Sequence, residues 1–216
     1  MRSPDRQPGA TGLEAVVFDL DGVIRHWNDD ELDRHAAGYG LPARAVLDIA
    51  FSEDLGPAAV TGRMTFEAWM AEVRSRVLAA YGEAAHPVLE VWESNIGSVD
   101  PQMLELVRRL RRQVTVAVLS NGTTRLRSDL EMLDLAHEFD VVFNTAEMGV
   151  AKPDREAYEH VLEELGTEPG RTAFIDDRED NVAGAESVGM PAHHFRGAPG
   201  AVAFLESLGL PARSPS

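Results

Sequence analysis

Polar side chains follow three separate apolar runs of the chain, at the point where each run ends. Carboxylates stand after the first and third runs, and a hydroxyl and an amide stand after the second. Oxygen atoms of this kind suit Mg²⁺, which takes one or two carboxylates together with waters and a substrate phosphate. An ionised carboxylate is also a nucleophile that needs no activating base. The candidate residues are Asp19 and Asp21, Ser120 and Asn121, and Asp176 and Asp177.

Each of these pairs taken alone would be an ordinary strand ending, because Asp, Asn and Ser are common turn residues. The combination is more informative. Carboxylates gathered at one edge of a sheet repel one another, and the pKa of at least one of them rises unless a cation is bound. The combination therefore predicts a site for Mg²⁺ built from oxygen ligands.

Lys152 is the only lysine among the twenty basic residues of the chain. A lone lysine is usually a solvated surface charge, but this chain uses arginine wherever any cation suffices. A compact ammonium group suits a crowded pocket better than a planar guanidinium group does. We therefore predict a functional position for Lys152.

The composition excludes several classes of protein. The 216 residues are 44% hydrophobic and 26% charged, which is enough for one sizeable core with an inserted subdomain. The formal net charge of −16 argues against nucleic acid and anionic membrane surfaces as partners. The absence of cysteine excludes disulfides, thiolate nucleophiles and thiolate metal sites. Residues 1–12 contain no long apolar run, which predicts a cytoplasmic chain.

The elements that must position these residues alternate between strand and helix. Continuous apolar runs predict strands buried on both faces, and apolar residues at helical spacing lie between the runs. Alternation of this kind predicts an α/β fold, in which a parallel sheet carries helices on both faces. We expect Asp100 and Asp154 to cap two of the helices, and Gly166 to end the second of them. The predicted strands are residues 15–20, 114–119, 139–143, 172–175 and 192–195.

Residues 28–94 interrupt this alternation, because they show helical stripes and no strand-like run. The three tryptophans lie in this stretch or at its edges, where they suit the core of a small helical bundle. We therefore predict a helical cap domain at 28–94, inserted into a core domain formed by 13–27 and 95–210. Residues 1–12 and 211–216 are predicted to be flexible tails.

Four short motifs, in order along the chain, resemble those of the haloacid dehalogenase superfamily of hydrolases. One such motif is a weak signal, whereas four in order are specific. The resemblance covers residues 14–195, and the insert is similar to the alpha-helical type 1 cap of that superfamily. It implies a Rossmann-like parallel sheet core with an inserted helical cap. The motifs are Asp19-x-Asp21-Gly22, Ser120-Asn121, Lys152-Pro153 and Asp176-Asp177-x-x-x-Asn181.

The resemblance also implies catalytic and phosphate-binding roles. Asp19 is the expected nucleophile, which forms an aspartyl phosphate. Asp21 is the expected general acid for the leaving alkoxide and then the general base for water. Ser120 is expected to bind a phosphoryl oxygen, and Lys152 to contact both the nucleophile and the phosphate. Asn121 either takes part in substrate binding or is only a turn residue.

The same resemblance implies the metal ligands. Mg²⁺ is expected on Asp19, on Asp21 through its backbone carbonyl, and on the acidic pair of the fourth motif. The spacing of that motif favours Asp177 as the direct ligand. Asp176 would then hold a metal-bound water or Lys152, although the assignment within the pair is open.

These roles together predict a Mg²⁺-dependent phosphatase that acts on a small phosphorylated metabolite, as a monomer or a homodimer. The acid at Asp21 favours phosphoryl chemistry over carbon–halogen cleavage, because the dehalogenases have no acid at that position. A phosphosugar mutase of the beta-phosphoglucomutase type has the same site residues and stays an alternative. A haloacid dehalogenase, a phosphonate hydrolase and a non-catalytic binding module on the same fold are further alternatives.

Overall fold

The computed structural model describes residues 12–212 of the chain. The tail predicted at 1–12 lies outside this range except for Gly12, and of the tail predicted at 211–216 only Pro211 and Ala212 are described. Ala212 is buried and belongs to the main apolar core. The packed part of the chain therefore reaches at least to Ala212, two residues beyond the predicted end of the core domain.

The described part of the chain contains seven strands, eleven α-helices and two short 3-10 helices, Gly82–Ala85 and Pro169–Arg171. The strands are β1 (Ala15–Phe18), β2 (Arg25–His26), β3 (Ser98–Val99), β4 (Thr115–Ser120), β5 (Val141–Asn144), β6 (Thr172–Asp176) and β7 (Ala192–His194). The helices are α1 (Asp29–Gly38), α2 (Ala45–Ala50), α3 (Leu55–Val60), α4 (Phe66–Tyr81), α5 (His86–Ser94), α6 (Pro101–Leu110), α7 (Leu126–Met132), α8 (Thr145–Met148), α9 (Arg155–Leu165), α10 (Glu179–Ser187) and α11 (Ala198–Ser207).

Five of the strands form a parallel sheet in the order β5-β4-β1-β6-β7. Alternate residues of β1 face opposite sides: Val16 and Phe18 belong to a core shared with α6, α7 and α11, whereas Val17 belongs to a core shared with α9 and α10. Strands covered on both faces need apolar residues at every position, which accounts for the continuous runs. The predicted α/β fold with helices on both faces of a parallel sheet is confirmed.

The order of the strands brings the polar endings together. β1 is central, and its last residue, Phe18, is paired with Val118 of β4 and with Ile175 of β6. Because the three strands are parallel and end at the same edge, the residues after them are neighbours. In open α/β sheets this carboxyl edge is where ligands bind.

The helical insert, residues 28–94, consists of α1 to α5 and has an apolar core of its own. Trp69 is central to that core, with its ring 5.6 Å from the ring of Trp92. The insert touches the sheet domain where the backbone N–H of Phe66 donates to Oγ1 of Thr124 at 2.9 Å. A second contact is the bond from Oγ1 of Thr145 to the carbonyl of Val60, at 2.7 Å. The insert therefore rests on the edge of the sheet domain that carries the polar residues.

Two of the three predicted helix ends are confirmed. Asp100 accepts hydrogen bonds from the backbone of Gln102 and Met103 at the start of α6, and Gly166 ends α9 in the left-handed conformation. The prediction for Asp154 is wrong in one respect. It stands at the N-cap position of α9, but its side chain accepts no capping hydrogen bond.

Across residues 12–212, none of the helices combines the length and the apolar character that crossing a membrane requires.

Candidate active site

The ammonium group of Lys152 lies between two carboxylates from neighbouring strands. Its Nζ atom is 2.8 Å from Oδ1 of Asp19 and 2.7 Å from Oδ2 of Asp176. The Lys152 side chain is only 1% exposed. Burial opposes its positive charge, but the two carboxylates outweigh burial, so that the pKa of Lys152 lies above its usual value. The single lysine of the chain is therefore a buried cation inside the candidate site.

The two polar residues at the end of β4 occupy different positions. Asn121 holds the loop that carries Lys152: its Nδ2 donates to the carbonyl of Lys152, and its Oδ1 accepts from the N–H of the same residue, both at 2.9 Å. Ser120 is fully buried, and its hydroxyl has no hydrogen-bond partner among the described residues. An unpartnered buried hydroxyl is costly, and an anionic oxygen is one group that would satisfy it.

The two aspartates at the end of β6 also differ. Asp176 is fully buried, and it accepts hydrogen bonds from Lys152 and from Nδ2 of Asn181, the latter 3.0 Å from both carboxylate oxygens. Asp177 is exposed, and its carboxylate lies directly against Gly22. Any Cβ at Gly22, where φ is +86°, would collide with that carboxylate. The carboxylate of Asp176 is thus engaged in hydrogen bonds within the protein, whereas the side chain of Asp177 is exposed.

Three carboxylates are close enough to share a cation. Asp19, Asp176 and Asp177 each offer an oxygen, and these atoms lie within 4.8 Å of one another. The pKa of Asp19 is raised to about 7, because burial and the charges of Asp176 and Asp21 together outweigh the opposing effect of Lys152. Burial and the charge of Asp176 also raise the pKa of Asp177. A divalent cation would offset this repulsion, and the all-oxygen donor set fits Mg²⁺.

The carboxylate of Asp21 lies outside that cluster, because it is held elsewhere. Arg25 donates from Nε to Oδ1 at 2.6 Å and from Nη2 to Oδ2 at 3.0 Å, and Nε1 of Trp27 donates to Oδ1 at 2.7 Å. Oδ1 therefore accepts two hydrogen bonds and Oδ2 accepts one. A carboxylate oxygen has two lone pairs, so Oδ2 keeps one for a proton. Asp21 as a metal ligand through its backbone carbonyl stays a prediction.

Arg25 is a site residue to which the sequence assigns no defined role. It is buried, and its Nη1 atom lies 3.2 Å from Oδ2 of Asp129 on α7. Asp129 in turn pairs with Nε of Arg125 at 2.7 Å, and the guanidinium of Arg125 lies 3.9 Å from the ring centre of Phe66 in the insert. A line of contacts thus runs from Asp21 to the insert. No local pattern could reveal it, since Arg25 and Asp129 are 104 positions apart.

A cavity of about 910 Å³ lies between the insert and the carboxyl edge of the sheet. Five predicted site residues line it, whereas Ser120 and Asp176 are not among its lining residues. The structure therefore gathers three carboxylates, an amide and the ammonium of Lys152 around one volume that a ligand can enter. The five are Asp19, Asp21, Asn121, Lys152 and Asp177.

Known proteins of similar sequence include two phosphatases. The chain is 28% identical over 202 residues to the sesquiterpene phosphatase astK of Aspergillus oryzae, covering 86% of this chain and 91% of the relative. It is 27% identical over 184 residues to a phosphorylated carbohydrates phosphatase of Thermotoga maritima, covering 82% of each.

Solved structures share the fold. A HAD family enzyme of Bacteroides thetaiotaomicron, crystallised with magnesium and inorganic phosphate, superposes with a TM-score of 0.66 at 23% identity, over 84% of this chain and 93% of that one. The model of the haloacid dehalogenase-like hydrolase family matches residues 13–189, which include all four motifs. The chain therefore belongs to the haloacid dehalogenase-like hydrolases.

Proposed function

We propose that the chain is a Mg²⁺-dependent phosphatase that hydrolyses small-molecule phosphomonoesters through an aspartyl phosphate on Asp19. The observation that carries this proposal is the ammonium of Lys152, which is 2.8 Å from Asp19 beside the cavity. A buried cation at this point favours the ionised carboxylate and would attract the anionic oxygens of a phosphate. The two relatives named as phosphatases support the same chemistry.

Asp19 and Asp177 are the residues that would hold Mg²⁺, with the backbone carbonyl of Asp21 as a further ligand. Asp176 would act indirectly, since its oxygens are engaged by Lys152 and Asn181. When bound, the ion would compensate the charge of the carboxylates and the phosphate, and it would orient the phosphorus for in-line attack.

In the first step, a carboxylate oxygen of Asp19 attacks the phosphorus, and the bond from phosphorus to the alcohol oxygen breaks. Oδ1 of Asp19 accepts from Lys152 and from the backbone N–H of Leu20 at 2.8 Å, which leaves Oδ2 for the attack. The departing alkoxide takes a proton from Oδ2 of Asp21. In the second step, water attacks the phosphorus of the aspartyl phosphate, Asp21 takes up the proton, and Asp19 is released as a carboxylate with inorganic phosphate.

Hydrolysis of an aryl phosphate, measured with and without Mg²⁺, tests this proposal. We expect chelation to lower kcat/KM at least about 100-fold and Mg²⁺ to restore it, because the clustered carboxylates otherwise repel the substrate. Full activity after exhaustive chelation would show that the metal requirement is wrong. No hydrolysis of any phosphomonoester in the presence of Mg²⁺ would refute the phosphatase assignment.

Replacement of Arg25 is expected to change the dependence on the leaving group. Arg25→Gln should lower kcat on an alkyl phosphate about tenfold more than on a nitrophenyl phosphate. Arg25 holds the carboxylate of Asp21 in position through two hydrogen bonds. An alkoxide needs the proton that a correctly placed Asp21 delivers, whereas a nitrophenolate leaves without one. Arg25→Lys is the matched control and should recover part of the loss. Equal losses on both substrates would mean that Arg25 only maintains the fold, which thermal unfolding of each variant would report independently.

A further inference from the structure

The cavity between the insert and the sheet domain is much larger than a phosphate needs. Its volume of about 910 Å³ lies near the upper end of the range for small-molecule sites, roughly 300 to 1,000 Å³. Asp19 and Lys152 occupy one part of its wall, and residues of α2, α3, α4 and α5 of the insert line another part. The chemical character of the remaining wall determines which alcohol groups of a phosphomonoester the cavity can bind.

Large apolar side chains line one part of the cavity wall. All three tryptophans of the chain line the cavity. Trp69 stands among other rings, with the ring of Phe51 at 5.8 Å and the ring of Phe66 at 6.1 Å. Its indole N–H donates to the carbonyl of Ala50 at 2.9 Å, so this ring offers a ligand only apolar surface. The apolar wall consists of Trp27, Leu47, Phe51, Val60, Phe66, Trp69, Met70 and Trp92.

Part of this apolar wall is uncovered. Phe51 is 57% exposed and Trp27 is 38% exposed, and both line the cavity. The insert has a complete apolar core without them, centred on Val73, Val77 and Leu89. Exposed aromatic surface that lines a cavity marks a place where a ligand can bind, since burial of that surface is favourable.

Several polar side chains of the cavity wall are already engaged with the protein. Arg125 is paired with Asp129, and Glu93 accepts from Nε of Arg74 at 2.9 Å. Oδ1 of Asn95 accepts from the backbone N–H of Gly97 at 2.9 Å. Each of these groups is therefore partly satisfied within the protein, which leaves it less available to the hydroxyls of a sugar.

We propose that the alcohol of the substrate is bulky and predominantly hydrocarbon, and that the apolar wall of the insert binds it. This inference rests on the proposed function and specifies its substrate class. The phosphate would lie at Asp19 and Lys152, and the hydrocarbon would extend along α2 and α4 across Phe51 and Trp69. The enzyme would then distinguish one phosphomonoester from another by burial of the apolar surface of the alcohol, and not by hydrogen bonds to it.

A series of n-alkyl phosphates, from butyl to octyl, tests this assignment against glucose 6-phosphate. Burial of a methylene gives up to about a fourfold gain, so kcat/KM should rise at least about tenfold from butyl to octyl phosphate. Glucose 6-phosphate should be hydrolysed more slowly than octyl phosphate. A flat response to chain length, or a preference for the sugar phosphate, would overturn the inference, while hydrolysis of an aryl phosphate would still support the proposed function.

Two variants test where in the cavity the hydrocarbon binds. Phe51→Ser should reduce the gain from butyl to octyl phosphate at least threefold, because it removes apolar surface from the wall. Tyr39→Ser is the matched control: Tyr39 is an aromatic residue of the insert, 44% exposed, that does not line the cavity. It should leave the whole series unchanged. The same slope in Phe51→Ser as in the parent protein would contradict the proposed position of the hydrocarbon.

A binding measurement separates the substrate class from the catalytic proposal. Because the three tryptophans line the cavity, octylphosphonate should change the intrinsic fluorescence, and it should bind at least about tenfold more tightly than methylphosphonate. Tight binding of octylphosphonate by a protein that hydrolyses no phosphomonoester would refute the proposed function alone. Equal affinity for the two phosphonates would refute the apolar wall.

Discussion

Asp19→Asn is expected to lower kcat/KM on every phosphomonoester by at least about four orders of magnitude. The amide cannot attack phosphorus as an anion, and Asp176, the other carboxylate that the structure places against Lys152, is not among the residues that line the cavity. An acid-quenched reaction of the parent protein, followed by mass spectrometry, should show a phosphoryl adduct on the peptide that contains Asp19. The adduct should be absent from the variant.

The same substitution should stabilise the metal-free protein, which gives a readout independent of activity. Burial raises the pKa of Asp19 from 3.8 to about 7, so the folded protein binds this proton more tightly than the unfolded chain does. The free energy of unfolding of the metal-free protein therefore decreases as the pH rises from about 4 through 7, and Asp19→Asn should remove that decrease. At pH 8 without Mg²⁺ the variant should have the higher Tm. Parental turnover by the variant would mean that the nucleophile is another residue.

Lys152→Arg is expected to lower kcat/KM about 100-fold to 1,000-fold. The planar guanidinium is larger than the ammonium, and the space between Asp19 and Asp176 admits Nζ at 2.8 Å and 2.7 Å from the two carboxylates. The positive charge is kept, so the loss would measure fit and not charge. The assay is hydrolysis of the aryl phosphate at saturating Mg²⁺.

Lys152→Met separates these two contributions, since it removes the charge at similar volume. It should lose at least as much activity, and it should also lower the Tm, because two buried carboxylates are left without a cation. Mg²⁺ should raise the Tm of this variant more than that of Lys152→Arg. Activity of Lys152→Arg within about threefold of the parent protein would show that any cation suffices and that the fit of the ammonium is irrelevant.

The architecture was predictable from sequence because its strands are buried on both faces. Val16, Val17 and Phe18 are fully buried, and an uninterrupted apolar run of this kind is typical of a strand inside a covered parallel sheet. Strand ends were less certain: the run predicted from residue 139 begins as a strand only at Val141. The sequence of helix α10 carries no apolar stripe, because Asn181 and a glycine stand where apolar residues would be expected.

The candidate site was predictable where its residues are consecutive and not where they meet only in space. Lys152 was found because its residue type is unique in the chain, and the aspartates because they follow strands. Arg25 donates hydrogen bonds to both Asp21 and Asp129. Asp129 lies on a helix that is distant in sequence, where it resembles an ordinary surface acid. The helix cap expected at Asp154 was wrong for a related reason, since residue type alone does not fix where a side chain points.

The burial of Lys152 has a consequence for chemical labelling. It is the chain's single lysine, and its side chain is 1% exposed. An amine-directed reagent therefore finds no ε-amino group on the surface of the folded protein, and apart from a terminal amine it can modify the chain only by entering the cavity. Protection of that one amine by a bound anion would report occupancy of the site directly, without a substrate.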